Sequence, residues 1–372
     1  MRIAFILNTS SLYGANRSFL GLLRYLKNTG NACFVILPNA GKIENELIEM
    51  QIEYRIMEYR ACVVYPGYIG LPWAVNLVKL PGMIKTVRNW DVDIIHTNSS
   101  SHDIGMILSR ILGKKHVWHV REIMEHNYRA SYIFPKLYKK LRYESDAVIC
   151  VSDFIYQYHL QKYPNPNMHM IYNPYDIKYY DIQRNEFAPN EVVRLLMSGN
   201  FTAYKRQMDS VKAVNILVKR GVRNIKLTLA GNGEKNYENE VKEYIRNNNL
   251  EQYIELVGFV DDLRELRCSS DISLCCSVDE ALPRVVVEGM LGELLEIGAD
   301  SGGIAELIKE GKTGLVYEVG NPEKLADKIE YALENRQKCF QMIKNAKEYA
   351  MENFELNKSG ARVVEVYKRI LN

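Results

Sequence analysis

At 372 residues the chain is too long for one ordinary core and suits two domains of roughly 150–200 residues each. Hydrophobic residues make up 47%, which excludes global disorder, and a net charge of +3 excludes the concentrated basic face of a dedicated nucleic-acid binder. Cys33, Cys62, Cys150, Cys268, Cys275, Cys276 and Cys339 form no CxxC pair and read as reduced thiols of a cytoplasmic protein, most of them small core residues.

The chain opens on "MRIAFILN", a strand-length apolar run rather than a signal core, and no stretch reaches the ~18 apolar residues of a membrane span. "RIAFILN" (2–8), "ACFVILP" (32–38), "VDIIHTN" (92–98), "KHVWHV" (115–120) and "AVICVS" (147–152) read as buried strands. Helix-period stretches lie between several of them, such as Phe19, Leu20, Leu22, Leu23 and Leu26 behind Gly14. The pattern restarts with "VVRLLMSG" (192–199), "IKLTLAG" (225–231), "IELVGF" (254–259), "ISLCCS" (272–277) and "LLEIGA" (294–299). Two successive β/α series predict two doubly wound, Rossmann-like parallel sheets facing across a cleft, with ligands at the carboxyl ends of the strands. The seam falls in the polar, Pro-containing stretch 171–191, giving domains 1–180 and 181–355 and a C-terminal helix over 356–372 that returns toward the first.

Within "SVDEALPRVVVEGM" (277–290) two carboxylates, Glu280 and Glu288, flank an apolar run. Pro283 suits the first turn of a helix, which leaves Glu280 in the loop after the strand "DISLCCS" and Glu288 about one and a half turns inside. Backbone N–H groups near Leu282, Arg284 and Val285 would then favour an anion at the helix start. A nucleotide-diphosphate sugar satisfies both acids, its phosphates meeting the N–H groups and its two sets of hydroxyls meeting the two carboxylates. The plainer reading is a helix start carrying acids for its dipole.

"EALPRVVVEGM" resembles the E-x7-E signature of retaining glycosyltransferases of family 4, which have the α/β GT-B fold. The resemblance runs along nearly the whole chain. "SLYGANRSFLGLLRYL" is similar to the family's first glycine loop and helix, with Tyr13 and Asn16 replacing the usual Gly and Glu, and "LLMSGNFTAYKRQ" is similar to its donor-side element. "LAGNGE", "VGFVDDL" and "GADSGGIAELI" follow in the family order, and "WHVRE" resembles bacterial surface-polysaccharide members. The resemblance makes the first domain the acceptor side and the second the donor side. It implies that Glu288 holds ribose, Glu280 the donor sugar and Lys205, helped by Arg206, the diphosphate. By the same resemblance, backbone around Phe259 and Val260 holds the base, the N–H groups at Leu282, Arg284 and Val285 hold the distal phosphate, Gly14 permits close approach of the first loop, and His119 sits near the reacting carbon or acceptor. It further implies a hexosyltransferase type of enzyme acting without metal or cofactor on a nucleotide-sugar, UDP rather than GDP. The acceptor would be a glycan or lipid-linked, in surface polysaccharide synthesis, with no nucleic-acid partner.

Standing alone, His119 is more commonly a satisfied strand histidine and Lys205-Arg206 a solvated pair. The histidines offer no metal spacing, and no DxD-like pair sits at a suitable strand end. "LVKLPGMIKTVRNW" (77–90) and "FPKLYKKLRYE" (134–144) suit either peripheral contact with the cytoplasmic face of an anionic inner membrane or ordinary amphipathic helices with snorkelling lysines. Three departures from the family stand out. Asn200 occupies an Arg position, Tyr13 and Asn16 alter the first loop, and "EGMLGELLEI" puts Glu293 at a glycine position and Glu296 inside a strand, where a carboxylate must be partnered, protonated or edged toward solvent. Rival readings are a nucleotide-sugar 2-epimerase on the same fold and a non-catalytic nucleotide-sugar-binding protein; a Rossmann oxidoreductase is disfavoured because "NTSSLYGANRS" lacks G-x-G-x-x-G.

Overall fold

Each apolar run quoted above forms a parallel strand. A computed structural model describes every residue except 67–73, 128, 183, 185–186 and 188–191, so part of the expected seam lies outside the described residues. The chain divides into two units, 1–176 with 354–372, and 177–353.

The first unit runs β1 (Arg2–Leu7), α1 (Gly14–Asn28), β2 (Ala32–Leu37), α2 (Ile43–Glu49), β3 (Glu53–Ile56), β4 (Val63–Val64), α3 (Ala74–Trp90) and β5 (Ile94–Asn98). It continues through α4 (Ile104–Leu112), β6 (Lys115–Val120), α5 (Met124–Asn127), β7 (Ser131–Tyr132), α6 (Pro135–Tyr143), β8 (Ala147–Cys150), α7 (Asp153–Lys162) and β9 (Met168–Met170). Seven parallel strands lie in the order β3-β2-β1-β5-β6-β8-β9, while β4 and β7 make a separate antiparallel pair. Side chains alternate across β1, so that Ile3, Phe5 and Leu7 join one apolar layer with Phe19, Leu22 and Leu23 of α1. Ala4 and Ile6 join the opposite layer with Met83 and Val87 of α3 and Ile104 and Leu108 of α4.

The second unit runs α8 (Ile177–Tyr180), β10 (Val193–Ser198), α9 (Gln207–Lys219), β11 (Ile225–Ala230), α10 (Lys235–Asn247), β12 (Ile254–Gly258), α11 (Arg264–Cys268), β13 (Ile272–Cys275) and α12 (Arg284–Leu291). It continues through β14 (Leu295–Ala299), α13 (Gly302–Leu307), β15 (Leu315–Tyr317), α14 (Pro322–Glu334) and α15 (Arg336–Phe354). Its six parallel strands take the order β12-β11-β10-β13-β14-β15. The last helix, α16 (Leu356–Leu371), packs on α1 in the first unit, where Tyr25 leaves no room for a Cβ on Gly360 and the Tyr367 hydroxyl lies 2.7 Å from His96 Nδ1 on β5. The units divide at 176/177 rather than at the expected 180/181 because α8 packs on α12.

The turn between α12 and β14 explains the first of the two misplaced acids. Glu293 stands in the left-handed region at φ 53°, a conformation that favours glycine, yet it is buried and ion-paired. Its carboxylate takes Lys344 and Lys347 of α15, each at 2.9 Å, and the backbone N–H of Arg184. Burial pushes its pKa up, but these three donors more than reverse that and hold the group below the ordinary range. The turn is thereby tied to α15 through charge. Glu293→Ala takes the acid from Lys344, leaves Lys347 with Asp181 at 2.6 Å, and keeps the disfavoured φ, so it should lower the unfolding free energy by about 2 kcal/mol in denaturant melts. Glu293→Gly should lose roughly 1 kcal/mol less, because glycine accepts that φ.

Candidate functional site

The second sheet reverses direction of assembly between β10 and β13, which are hydrogen-bonded neighbours although two strands separate them in sequence. Loops at the carboxyl ends of such a pair diverge to opposite sides and open a ligand crevice. Lys205 follows β10 and Glu280 follows β13, so the topology delivers them to one place. The backbone joins the two loops, Val278 N donating to Tyr204 O at 2.9 Å. Lys205 Nζ donates to both carboxylate oxygens of Glu280, lying 3.0 Å from Oε2, with the side chains 15% and 14% exposed. Burial pulls the lysine pKa down, but the Glu280 charge and hydrogen bond raise it above the ordinary value, so it stays cationic.

The Glu280 loop is pinned from behind by the start of α13. Gly303 N donates to Glu280 O at 2.7 Å, and a Cβ on Gly303 would stand 2.4 Å from Ala281 O, so only glycine permits this approach. Ser301 Oγ accepts from Asp279 N at 2.9 Å. The "SGG" of "GADSGGIAELI" therefore shapes the loop that carries Glu280.

Helix α12 begins at Arg284 with Pro283 as its cap, as the proline predicts. The first-turn N–H groups of Arg284 and Val285 belong to the open helix end, beside the buried Leu282. One turn on, Glu288 is 7% exposed and both its oxygens are engaged. Oε1 takes Arg284 at 2.8 Å and the Tyr180 hydroxyl at 3.3 Å, and Oε2 takes Arg267 of α11. Burial and the Glu288 charge push the Tyr180 pKa up to about 12, so the phenol remains a donor. Arg267 and Tyr180 are absent from the sequence reading because they lie 21 and 108 residues from Glu288, on separate helices.

Other expected residues are placed as follows. Arg206, at φ 57°, caps α9 and is turned onto Asp209 of the same helix, so it is committed locally while Lys205 faces Glu280. Phe259, 53% exposed, and Val260 follow β12 at the carboxyl edge, where Gly231 N also bonds Gly258 O at 2.7 Å. Gly14 and His119 belong to the first unit. Gly14 is the exposed first residue of α1, and the replacement Asn16 is fully buried, its amide closing the preceding loop by donating to Thr9 O and Ser11 O at 2.8 Å. His119, on β6, is 2% exposed, with its ring 5.3 Å from that of His96 and Nδ1 3.5 Å from Arg121. Burial first, then Arg121 and His96, hold its pKa well below the usual imidazole value, so it is neutral. The first unit also contains a cavity of about 510 Å3 at the carboxyl ends of β1 and β2, lined by Asn8, Thr9, Asn39, Tyr59, Arg60 and Tyr65 among others. Among the described residues no group of three His, Cys, Asp or Glu side chains is placed to hold a metal ion, and no helix is long and apolar enough to cross a membrane.

Two doubly wound units with charged residues at the switch point of the second define a GT-B type of protein. A model described as glycosyl transferases group 1 matches residues 180–349, and one described as Glycosyltransferase Family 4 matches residues 13–179. The chain belongs to the family-4 type of GT-B glycosyltransferases. It is 26% identical over 318 residues to N-acetyl-alpha-D-glucosaminyl L-malate synthase of Bacillus anthracis, covering 82% of this chain and 81% of that one. It is 25% identical over 368 residues, 96% and 95% of the two chains, to a Campylobacter jejuni alpha-1,4-N-acetyl-D-galactosaminyltransferase named for a diNAcBac-PP-undecaprenol-linked glycan. Anabaena HepE, solved with UDP and glucose, has the same fold with a TM-score of 0.85 at 20% identity, over 99% of this chain and 100% of that one.

Because Arg267 is 4% exposed and its partner Glu288 is also buried, removing it leaves a buried charge half-answered. Arg267→Ala should reduce the unfolding free energy by about 3 kcal/mol. Arg284→Ala, at the more open edge of the cluster, should cost about half as much, both being read by urea titration.

Proposed function

We propose that this glycosyltransferase is a retaining, metal-independent enzyme that moves a sugar from a UDP-sugar to a glycan or lipid-linked acceptor in surface polysaccharide synthesis. The observation that carries the reading is the Lys205–Glu280 pair at the β10/β13 switch point, one helix start away from Glu288. The Anabaena structure with UDP and glucose supports the choice of UDP, and the Campylobacter relative's name supports a lipid-linked acceptor. In this reading Lys205 passes from Glu280 to the diphosphate, Glu280 takes the sugar hydroxyls and Glu288 the ribose. Base contact at Phe259 and Val260, the N–H groups at Leu282, Arg284 and Val285, and charge from Arg206 complete the donor side.

Chemistry follows from where charge develops. As the bond between the sugar's anomeric carbon and the phosphate oxygen breaks, the sugar becomes cationic and the leaving diphosphate gains negative charge. Lys205 and the start of α12 stabilise that charge more as it grows, which is the differential binding catalysis needs. The acceptor hydroxyl attacks from the same face, and its proton passes to the departing phosphate oxygen. His119, neutral, and Gly14 are the acceptor-side candidates, together with the cavity at Asn8, Thr9, Asn39 and Tyr65, whose amides, hydroxyl and aromatic ring suit sugar hydroxyls and a sugar face. Peripheral membrane contact through α6 is part of the proposal, since Phe134 and Leu137 are exposed beside Lys136, Lys139 and Lys140.

Purified protein should release UDP from a UDP-sugar, and Lys205→Ala or Glu288→Ala should slow turnover about 100-fold or more. Full activity in both variants removes the site assignment. Glu280→Gln gives a sharper check. With no carboxylate to hold Lys205, UDP alone should bind roughly fivefold more tightly by calorimetry, while transfer of the sugar falls.

A further inference from the structure

Glu296, the second misplaced acid, is neither edged toward solvent nor paired. It is fully buried near the start of β14, and neither carboxyl oxygen has a hydrogen-bond partner of normal geometry. Ser273, directly opposite on β13, is the polar group beside it. The carboxyl points under α12, where it fills the space that any side chain at residue 289 would need. A Cβ on Gly289 would stand 1.8 Å from Glu296 Oε1 and 3.0 Å from its Cδ. Gly289 is the residue after Glu288, so the acid forms the seat of the helical turn that presents Glu288.

The groups facing this carboxyl come from three elements. Arg267 of α11 acts on its charge while paired with Glu288, α12 brings Gly289 against it and carries Glu288 and Arg284 alongside, and β13 supplies Ser273 and Cys275. Gly314, just before β15, lies against the Glu296 backbone carbonyl rather than the carboxyl. Arg267 is therefore the cation that acts on both acids, while Arg284 adds a second cation to Glu288. While Glu296 is a neutral acid, Arg267 belongs to Glu288. An ionised Glu296 would compete for it in a low-dielectric interior, where an unpaired charge is strongly disfavoured.

We infer that Glu296 is a positioning residue of the nucleotide site: its uncharged carboxyl seats Gly289 and leaves Arg267 to Glu288, and loss of its proton weakens nucleotide binding. This rests on the reading of Glu288 as the acid that holds the nucleotide. It makes donor binding fall toward alkaline pH through a group that does not touch the donor.

The sign for stability is the same. Burial holds the Glu296 pKa well above the ordinary carboxyl value. The native state therefore keeps a proton the unfolded chain gives up. Its stabilising contribution is complete below the unfolded value and is lost as pH rises toward the folded one. Glu296→Gln, neutral at every pH and close in size, should match the unaltered protein near about pH 4.5 and melt progressively higher than it as pH rises.

The experiment is calorimetric binding of UDP to the full chain from about pH 7.5 to about pH 9.5, beyond the loss of the phosphate's last proton, with melting temperatures recorded alongside. The unaltered protein should lose about fivefold in affinity across that range and Glu296→Gln less than about twofold. Gly289→Ala should weaken UDP binding roughly tenfold, and Glu296→Ala in that background should restore it to within about threefold. Parallel pH profiles for the unaltered protein and Glu296→Gln, or a double variant no better than Gly289→Ala, overturn the inference. If UDP does not bind, or Glu288→Ala leaves its affinity unchanged, the donor-site reading itself fails and the nucleotide half of the inference falls with it. Gly289→Ala and its rescue are then judged by melting temperature, where absence of rescue removes the seat as well.

Discussion

Adjacency of β10 and β13 is the constraint on which the candidate site depends. A parallel doubly wound sheet begins in its middle and is built outward in both directions, so the first strand of the unit has the next strand on one side and one distant in sequence on the other. Lys205 and Glu280 are 75 residues apart, and they meet because their strands do. The pairing answers two charges that burial would otherwise disfavour. It also leaves a cation and an anion that an incoming phosphate and sugar could each claim.

Around that pair the unit is held by charge rather than by apolar contact alone. Glu288 has arginines on both sides, Arg284 from its own helix and Arg267 from α11, so the cluster of three carries one excess positive charge. A carboxylate held this way is fixed in orientation, and a buried ion pair is better evidence for a specified geometry than for net stability. Glu293 works in the same manner at the other end of α12, joining the turn to α15 through Lys344 and Lys347. Glu296 lies between the two, without a charged partner of its own. Helix α12 is thus fixed at Glu288, at the Gly289–Glu296 contact and at Glu293.

In the first unit burial rather than pairing governs the ionisable groups. His96, His102, His116, His119 and His159 are all enclosed, and all are pushed toward the neutral form. His116 has hydroxyl partners at 2.8 Å on both ring nitrogens, from Thr97 and Ser145, which marks it as a satisfied core histidine. His119, three residues along the same strand, faces His96 and Arg121 instead. The same residue type therefore serves two ends on opposite faces of one strand.

Sequence alone determined the β/α order, ten of the strands and the helix start at Pro283, because apolar periodicity and proline chemistry are local. It missed β3, β9 and β15, three or four residues long at sheet edges where little burial imprints a pattern, and the two-residue strands β4 and β7. It also placed Glu280 in a loop and Glu288 inside a helix, since strand and helix ends can be counted along the chain. Tertiary structure alone decided the partners. Arg267 and Tyr180 reach Glu288, Lys344 and Lys347 reach Glu293, and Gly289 makes space for Glu296, each through contacts between elements that sequence spacing does not relate. A carboxylate shows in the sequence as a charge, but whether that charge is answered, shared or withheld depends on which elements fold against it.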